Sequence, residues 1–182
     1  MIGSAHNPSQ NAASGHGDSV AATPGRAKLH VDLRELSNDE AVEMLSQHHV
    51  GHVGISFHDL VRLKLCNYIY SAGWIYIRTE LGEDLIMARH HPWAAFEVHE
   101  AESVYDWRSV EVVGAVEFLS PDMQSADWFR FETAVHLLRT AVPQILTADD
   151  PMPQRVQLLR IHVDTIRGRH SSSGTPQTLP AP

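Results

Sequence analysis

A strict alternation of side chains marks the middle of the chain. In "LVRLKLCNYIY", residues 60–70, one face would carry Val61, Leu63, Leu65, Asn67 and Ile69, and the other Arg62, Lys64, Cys66, Tyr68 and Tyr70. Side chains that alternate with a period of two are typical of a β-strand. The pattern therefore predicts a strand over 60–70.

A tight turn follows this strand. Ser71, Ala72 and Gly73 have turn composition, and "WIYIRT", residues 74–79, predicts the returning strand. If Ala72 and Gly73 form a two-residue loop, Ser71 pairs with Trp74 and Asn67 lies opposite Arg78.

Four more apolar segments predict strands. They are residues 50–57, 93–102, 107–120 and 155–169. In the third of these, alternate positions form one apolar face, made of Val110, Val112, Gly114, Val116 and Phe118.

Three helices complete the pattern. Ser37 and Glu40 form a capping box that predicts a helix ending near His48. A short helix is expected from Gly82 to His90, stopped before Pro92. A longer one, at about 125–146, has an apolar stripe of Trp128, Phe131, Val135, Leu138 and Val142.

This order of elements lacks regular βαβ alternation. It favours a mainly β protein with flanking helices (α+β), whose antiparallel sheet closes into a barrel. Residues 1–28 and 171–182 are rich in Gly, Ser, Asn and Pro, so we expect two disordered tails around one folded domain, 29–170.

Composition narrows the function classes. A formal net charge of −8 argues against broad nucleic-acid binding. No apolar run approaches the roughly 20 residues that span a bilayer, and no apolar signal core is present, so a cytoplasmic protein without membrane contact is expected. The single Cys66 excludes an internal disulfide.

The thirteen histidines raise the question of a metal site. They include two groups, one with His48, His49 and His52, the other with His90, His91 and His99. No HExxH pattern is present, and solvated or core histidines are favoured over a structural zinc site, so no metal site is predicted. GxSxG, GxGxxG and GxxxxGK[ST] are also absent, so no catalytic residue is assigned.

Three cations stand in the predicted hairpin, namely Arg62, Lys64 and Arg78. A cation on a half-buried strand is costly unless it is paired or reaches water. Two interpretations stay open: the cations pair with nearby carboxylates (Glu80, Glu83 and Asp84), or they bind an anion.

Two stretches resemble a known family. "CNYIYSAGWIYIRTELGEDL" and "HPWAAFEVHEAESVYDWRSVEVVGAVEFL" resemble the pyridoxamine-5′-phosphate-oxidase-like flavoproteins, in particular their nitroimidazole-reductase-like branch. The resemblance covers about 35–120, with "IRGR" ending near 169. It implies an antiparallel split β-barrel and a homodimer with FMN at the subunit interface. The implied activity is an FMN-dependent reduction of a small molecule, with a reduced nicotinamide as electron source.

The resemblance also implies cofactor-binding residues. Asn67, Arg78 and Thr79 would lie by the FMN phosphate. Residues 62–67 would run along the flavin ring, with Arg62, Lys64, Leu65 and Cys66 among them. A last group would approach from the second subunit, consisting of Tyr105, Trp107, Ser109 and Val110.

The chain departs from the family pattern at three places. Asp84 stands where the family has a phosphate-binding lysine, Leu65 stands where it has a proline, and its Trp-Ser-Val strand reads Trp107-Arg108-Ser109-Val110 here. Losing one charge-assisted contact costs about 1.5–3 kcal/mol. Two alternatives therefore stay open beside FMN: another cofactor, either a deazaflavin or haem with a histidine ligand, or a cofactor-free binding module.

Overall fold

The computed structural model describes residues 28–57, 60–80, 82 and 92–177. These residues form eight strands and two helices. The strands are β1 (Lys28–Glu35), β2 (Val50–Phe57), β3 (Leu60–Ser71), β4 (Trp74–Thr79), β5 (Trp93–Ala101), β6 (Trp107–Leu119), β7 (Gln157–His162) and β8 (Thr165–Gln177). The helices are α1 (Asn38–Gln47) and α2 (Trp128–Ala141).

Six of the strands close into an antiparallel barrel. Their order is β6-β5-β2-β3-β4-β7, and β7 pairs back onto β6. β8 pairs with the first half of β6, and β1 pairs with β8, so these two strands extend the sheet beyond the barrel. The fold class predicted from the sequence, an antiparallel barrel with flanking helices, is confirmed.

One edge of β6 pairs with two strands, β8 and β7, while its other edge pairs with β5, and a glycine makes this possible. Residues 107–113 pair with β8, and residues 116–119 pair with β7. Between these segments lies Gly114, where an added Cβ would stand 1.6 Å from the carbonyl oxygen of His162. The backbones therefore approach so closely that only glycine fits where the barrel closes.

The hydrophobic core has two parts. The barrel interior is filled by alternate residues of its strands and is covered at one end by α1, through Met44 and Leu45. A second cluster lies between the outer side of β4 and α2, where Tyr76 packs near Phe131 and Leu138. Alternation along β4 thus sends Ile75 and Ile77 into the barrel and Tyr76 under the helix.

The predicted hairpin and helix cap are confirmed. Ser71 pairs with Trp74 and Asn67 with Arg78. Ala72 and Gly73 have φ angles of 48° and 80°, as a two-residue hairpin turn requires.

At the start of α1, the Ser37 hydroxyl accepts from the Glu40 N–H, and the Glu40 carboxylate accepts from the Ser37 N–H. Both halves of the capping box are therefore present.

Three boundaries differ from the prediction. β1 was not predicted, because it follows the Gly/Ser-rich segment and its apolar side chains stay exposed, with Leu33 63% accessible. The single strand expected over 155–169 is two strands, which turn at Val163 and Asp164. β8 continues to Gln177, because β1 supplies a hydrogen-bonding partner for residues that were predicted to be a disordered tail.

Some predictions lie outside the described residues. These are the N-terminal tail up to residue 27, the short helix beyond Gly82, and the last residues of the C-terminal tail, 178–182. Within the described part of the chain, neither helix is long and apolar enough to cross a membrane.

We expect Gly114→Ala to destabilise the fold by roughly 3 kcal/mol or more, because the new methyl group would overlap the His162 carbonyl. The matched control is Gly54→Ala in β2, where the nearest atoms to an added Cβ are 3.7 Å away and the free energy of unfolding should change by less than about 1 kcal/mol. Urea unfolding measures both. Equal effects of the two substitutions would contradict the role assigned to Gly114.

Candidate functional site

The first half of β3 carries apolar side chains that point to solvent. Leu60, Val61, Leu63 and Leu65 are 61%, 74%, 69% and 56% exposed. The positions between them hold Arg62, which is exposed, and Lys64, which is half-buried. Both faces of this half of the strand therefore reach solvent.

The same segment has an open hydrogen-bonding edge. β2 pairs with β3 along its whole length from Leu60 to Asn67, whereas β4 joins β3 only from Asn67 onwards. Among the described residues, no strand pairs with the second edge of residues 60–66. We call residues 60–66 the β3 open edge; it combines an apolar surface with a row of backbone polar groups.

A polar cleft of about 190 Å³ lies at the end of this edge. It is lined by Lys64, Leu65, Thr79, Glu80 and Arg155. Arg155 Nη1 donates to Asn67 Oδ1 at 2.9 Å, and Arg155 Nε lies 3.9 Å from Glu80 Oε1. We call this the corner cleft; it places two cations, one carboxylate and a threonine hydroxyl around one small space.

Arg155 is held in place by a buried ion pair behind the cleft. Arg78 is 2% exposed, and its guanidinium donates to Asp150, to the carbonyl of Met152 at 2.8 Å and to the carbonyl of Arg155 at 2.7 Å. Asp150 in turn accepts from the N–H groups of Leu146 and Met152, at 2.8 and 2.9 Å. The pair thus fixes the whole segment that leads from α2 into β7.

The surroundings of Asp150 keep it ionised. Burial raises the pKa of this carboxyl, but the N–H groups of Met152 and Leu146 and the Arg78 guanidinium outweigh burial, so its pKa lies below the ordinary value. A charged Asp150 is the partner that a buried Arg78 requires.

The predicted cofactor-binding residues separate into two groups. Lys64, Leu65 and Thr79 meet at the corner cleft, and Asn67 joins them through Arg155. In the second group, Tyr105 is 47% exposed and Trp107 lines a different cleft, whereas Ser109 lines a third cleft that Leu63 of the β3 open edge also lines. β2 and β5 separate β6 from β3, which is three strand spacings, or roughly 14 Å, across the sheet.

Two predicted residues have side chains inside the barrel. Val110 is fully buried in the core, and Cys66 is 1% exposed, with its thiol 3.5 Å from the Gly51 carbonyl oxygen. Burial raises the pKa of the Cys66 thiol to about 12. These two residues can offer only backbone groups to a ligand on the outer surface.

Arg78 was predicted to hold a phosphate or to pair with Glu80, Glu83 or Asp84. Among the described residues its carboxylate partner is Asp150, and Glu83 and Asp84 lie outside them. Binding of a phosphate by Arg78 stays a prediction.

Sequence patterns did not single out Asp150, which lies in a segment without periodicity, or Arg155, which is the first residue of the strand predicted over 155–169. One signal was available in the sequence: Arg78 stands in an apolar strand, and a buried cation there needs a carboxylate partner from elsewhere in the chain.

Comparison with known proteins decides the family. The family model described as pyridoxamine 5′-phosphate oxidase matches residues 37–170 of the 182. The chain belongs to this family. The match includes the β3 open edge and the corner cleft.

Several solved structures share the fold of this chain, although their sequence identity to it is low. A FAD-binding protein from Mesorhizobium loti is 21% identical, with a TM-score of 0.62 over 77% of this chain and 99% of that one. A candidate 5-nitroimidazole antibiotic resistance protein from Bacteroides thetaiotaomicron is 15% identical, with a TM-score of 0.61 over 80% and 92%. A flavocytochrome from Azotobacter vinelandii is 14% identical, with a TM-score of 0.54 over 81% and 83%.

None of the curated proteins matches the chain. The split-barrel fold that the sequence resemblance implied is thus confirmed by the family model and by these structures.

We expect Asp150→Ala to destabilise the protein by about 3–5 kcal/mol, because it leaves the Arg78 guanidinium buried without its carboxylate. The folded-state pKa of Asp150 is depressed, so its contribution is present above the ordinary aspartate pKa of about 3.9 and is lost as the pH falls towards the folded value. The gap between variant and parent should therefore shrink in acid.

Asp149→Ala is the control, because Asp149 is adjacent and exposed. Chemical unfolding at pH 7 and at pH 3–4 measures both variants. If Asp150→Ala lowers the free energy of unfolding no more than Asp149→Ala does, the buried ion pair does not hold the segment between α2 and β7.

Proposed function

We propose that this protein is a flavin-dependent oxidoreductase that binds FMN along the β3 open edge and reduces a small molecule. One observation carries the proposal: an exposed apolar strand with an open backbone edge ends at a cleft with two cations. A flavin nucleotide has the complementary parts, a flat ring with polar edge atoms at one end and a phosphate at the other.

The residues of the chain fit the two ends of FMN. Leu63 and Leu65 offer an apolar wall for the ring, and the backbone of residues 62–66 offers donors and acceptors to its polar edge. Lys64, the Thr79 hydroxyl and the Arg155 guanidinium supply charge-assisted contacts to the phosphate.

Arg155 gives this chain a cation that the family pattern did not indicate. The family lysine corresponds to Asp84, which lies outside the described residues. Arg155 reaches the same corner as Thr79 from the segment before β7, and Arg78 supports it by holding its carbonyl oxygen. We therefore propose Arg155 as a principal phosphate contact, with Arg78 as its support.

When bound, the flavin supplies the redox chemistry, by accepting a hydride from a reduced nicotinamide and passing two electrons to a small acceptor. The chain binds and orients it. Leu63 and Leu65 exclude water from one side of the ring, and the corner cleft fixes the position of the phosphate.

A homodimer is the second part of the proposal. Trp107 and Ser109 lie on β6, which is three strand spacings, or roughly 14 Å, across the sheet from β3, and Tyr105 lies in the loop before β6. A second copy facing the β3 open edge would bring its own Tyr105 and Trp107 towards the ring and would cover the exposed leucines. Large exposed apolar patches of this kind are typical of interaction surfaces.

We expect the purified protein to be yellow, or to become so on titration with FMN, and Arg155→Ala to weaken FMN binding roughly ten- to hundredfold, the effect of losing one charge-assisted contact. Absorption spectra and fluorescence titration measure this. Chromatography of the flavin released on denaturation distinguishes FMN from FAD or a deazaflavin.

Arg130→Ala is the matched control, because Arg130 forms ion pairs with Asp127 and Glu117 on the surface, away from the cleft, and should leave the affinity unchanged. A colourless protein that takes up no added flavin would overturn the function. A sharp Soret band would point to haem instead.

We expect Leu63→Glu to convert the dimer into a monomer, because it places a carboxylate in the centre of the apolar surface. The control is Phe129→Glu on α2, where an apolar residue 82% exposed is replaced far from the β3 open edge. Light scattering after gel filtration gives the masses. A parent protein that is monomeric, or a dimer that both variants leave intact, refutes this interface.

A further inference from the structure

Two histidines that are distant in the sequence, His52 and His99, meet on the outer face of the barrel. His52 belongs to β2, and His99 belongs to β5, together with Glu97. β2 and β5 are neighbours, and their register places His52 directly opposite Glu97. His99 follows Glu97 by two positions, so it lies on the same face of the sheet.

The three side chains point at one another. Glu97 Oε2 lies 3.2 Å from His99 Nδ1 and 3.6 Å from His52 Nδ1. One ligand atom from each residue lies within 4.8 Å of the other two. The two imidazole rings are parallel within 3°, with centroids 5.8 Å apart.

These distances suit a bound cation. In a tetrahedral site with zinc–nitrogen and zinc–oxygen bonds of about 2.0–2.2 Å, ligand atoms stand roughly 3.3–3.5 Å apart. Two of the three pairs are already near this spacing. The side chains of His52, Glu97 and His99 are 29%, 38% and 51% exposed, so small rotations can bring the third pair together.

We infer that His52, Glu97 and His99 form a binding site for a divalent transition-metal ion of the zinc type. Two imidazoles and one carboxylate are a ligand set that zinc and its neighbours in the first transition series accept. The sequence alone favoured solvated histidines, because it could not show that His52 and His99 meet.

The surroundings leave room for further ligands. His48 and His49 line the same cleft, of about 430 Å³, as His52 and His99. His48 lies 3.4 Å from Glu100, which also pairs with Arg108. Glu111 of β6 lies opposite Glu97 in the sheet and lines a second cleft with His52, Glu97, Arg167 and Arg169. Three protein ligands and an open cleft leave coordination positions for water or a small molecule.

Leu65 borders both this cleft and the corner cleft. A metal held here would therefore stand one strand away from the β3 open edge. The site does not depend on the proposed flavin chemistry, because its three ligands lie on β2 and β5.

Calorimetric titration of the tag-free, chelator-treated full chain with Zn²⁺ tests the inference, supported by the visible spectrum of the Co²⁺ form. We expect one saturable site per chain, and His52→Ala, His99→Ala and Glu97→Gln each to weaken binding at least about tenfold. The parent should give the visible absorption bands of a Co²⁺ ion with a low coordination number, and the variants should lose these bands.

His30→Ala is the matched control, because His30 also lies two positions from a carboxylate, at 2.9 Å from Asp32, but has no second imidazole in the described surroundings of that pair. It should bind as the parent does. Absence of a saturable site, or an equal loss in His30→Ala, overturns the inference. If His52→Ala alters the circular dichroism spectrum, the His99→Ala variant decides whether the site binds metal, because His99 is the most exposed of the three residues. Flavin content is measured on the same samples, so failure of flavin binding is seen separately.

Discussion

A buried guanidinium needs hydrogen-bond acceptors, and much of this structure follows from where the acceptors of Arg78 come from. An unpaired cation in the sheet would cost several kcal/mol, so the segment after α2 folds back over β4 and delivers Asp150 and two carbonyl oxygens. That segment leads directly into β7, the strand that closes the barrel. The same ion pair therefore positions the closing strand and sets Arg155 at the corner cleft.

The fold was largely predictable because local patterns dominate it. Alternation identified β3 and β6, and two turn residues fixed the pairing of Asn67 with Arg78. The capping box at Ser37 located α1. Prediction failed where pattern is weak: β1 has exposed apolar residues, and β7 and β8 read as one apolar run because the corner at Val163 has no turn composition.

The candidate site was less predictable, because its parts meet only through tertiary structure. The hairpin supplied Lys64 and Thr79, which alternation and the family resemblance both indicated. Asp150 and Arg155 come from an irregular segment more than seventy residues away; Asp150 lies outside every predicted element, and Arg155 stands only at the first position of a predicted strand. His52 and His99 likewise meet through the pairing of β2 with β5, which a single sequence does not reveal.

The β3 open edge also bears on how the chain avoids aggregation. Exposed edges with apolar side chains are templates for uncontrolled strand addition, the route to aggregation. Here Arg62 and Lys64 interrupt Val61, Leu63 and Leu65 at every second position, so two such edges lying in register would bring like charges together. The alternation that first identified the strand therefore also opposes aggregation, because it disfavours strand addition between identical chains. The edge stays open to a ligand or surface of complementary charge.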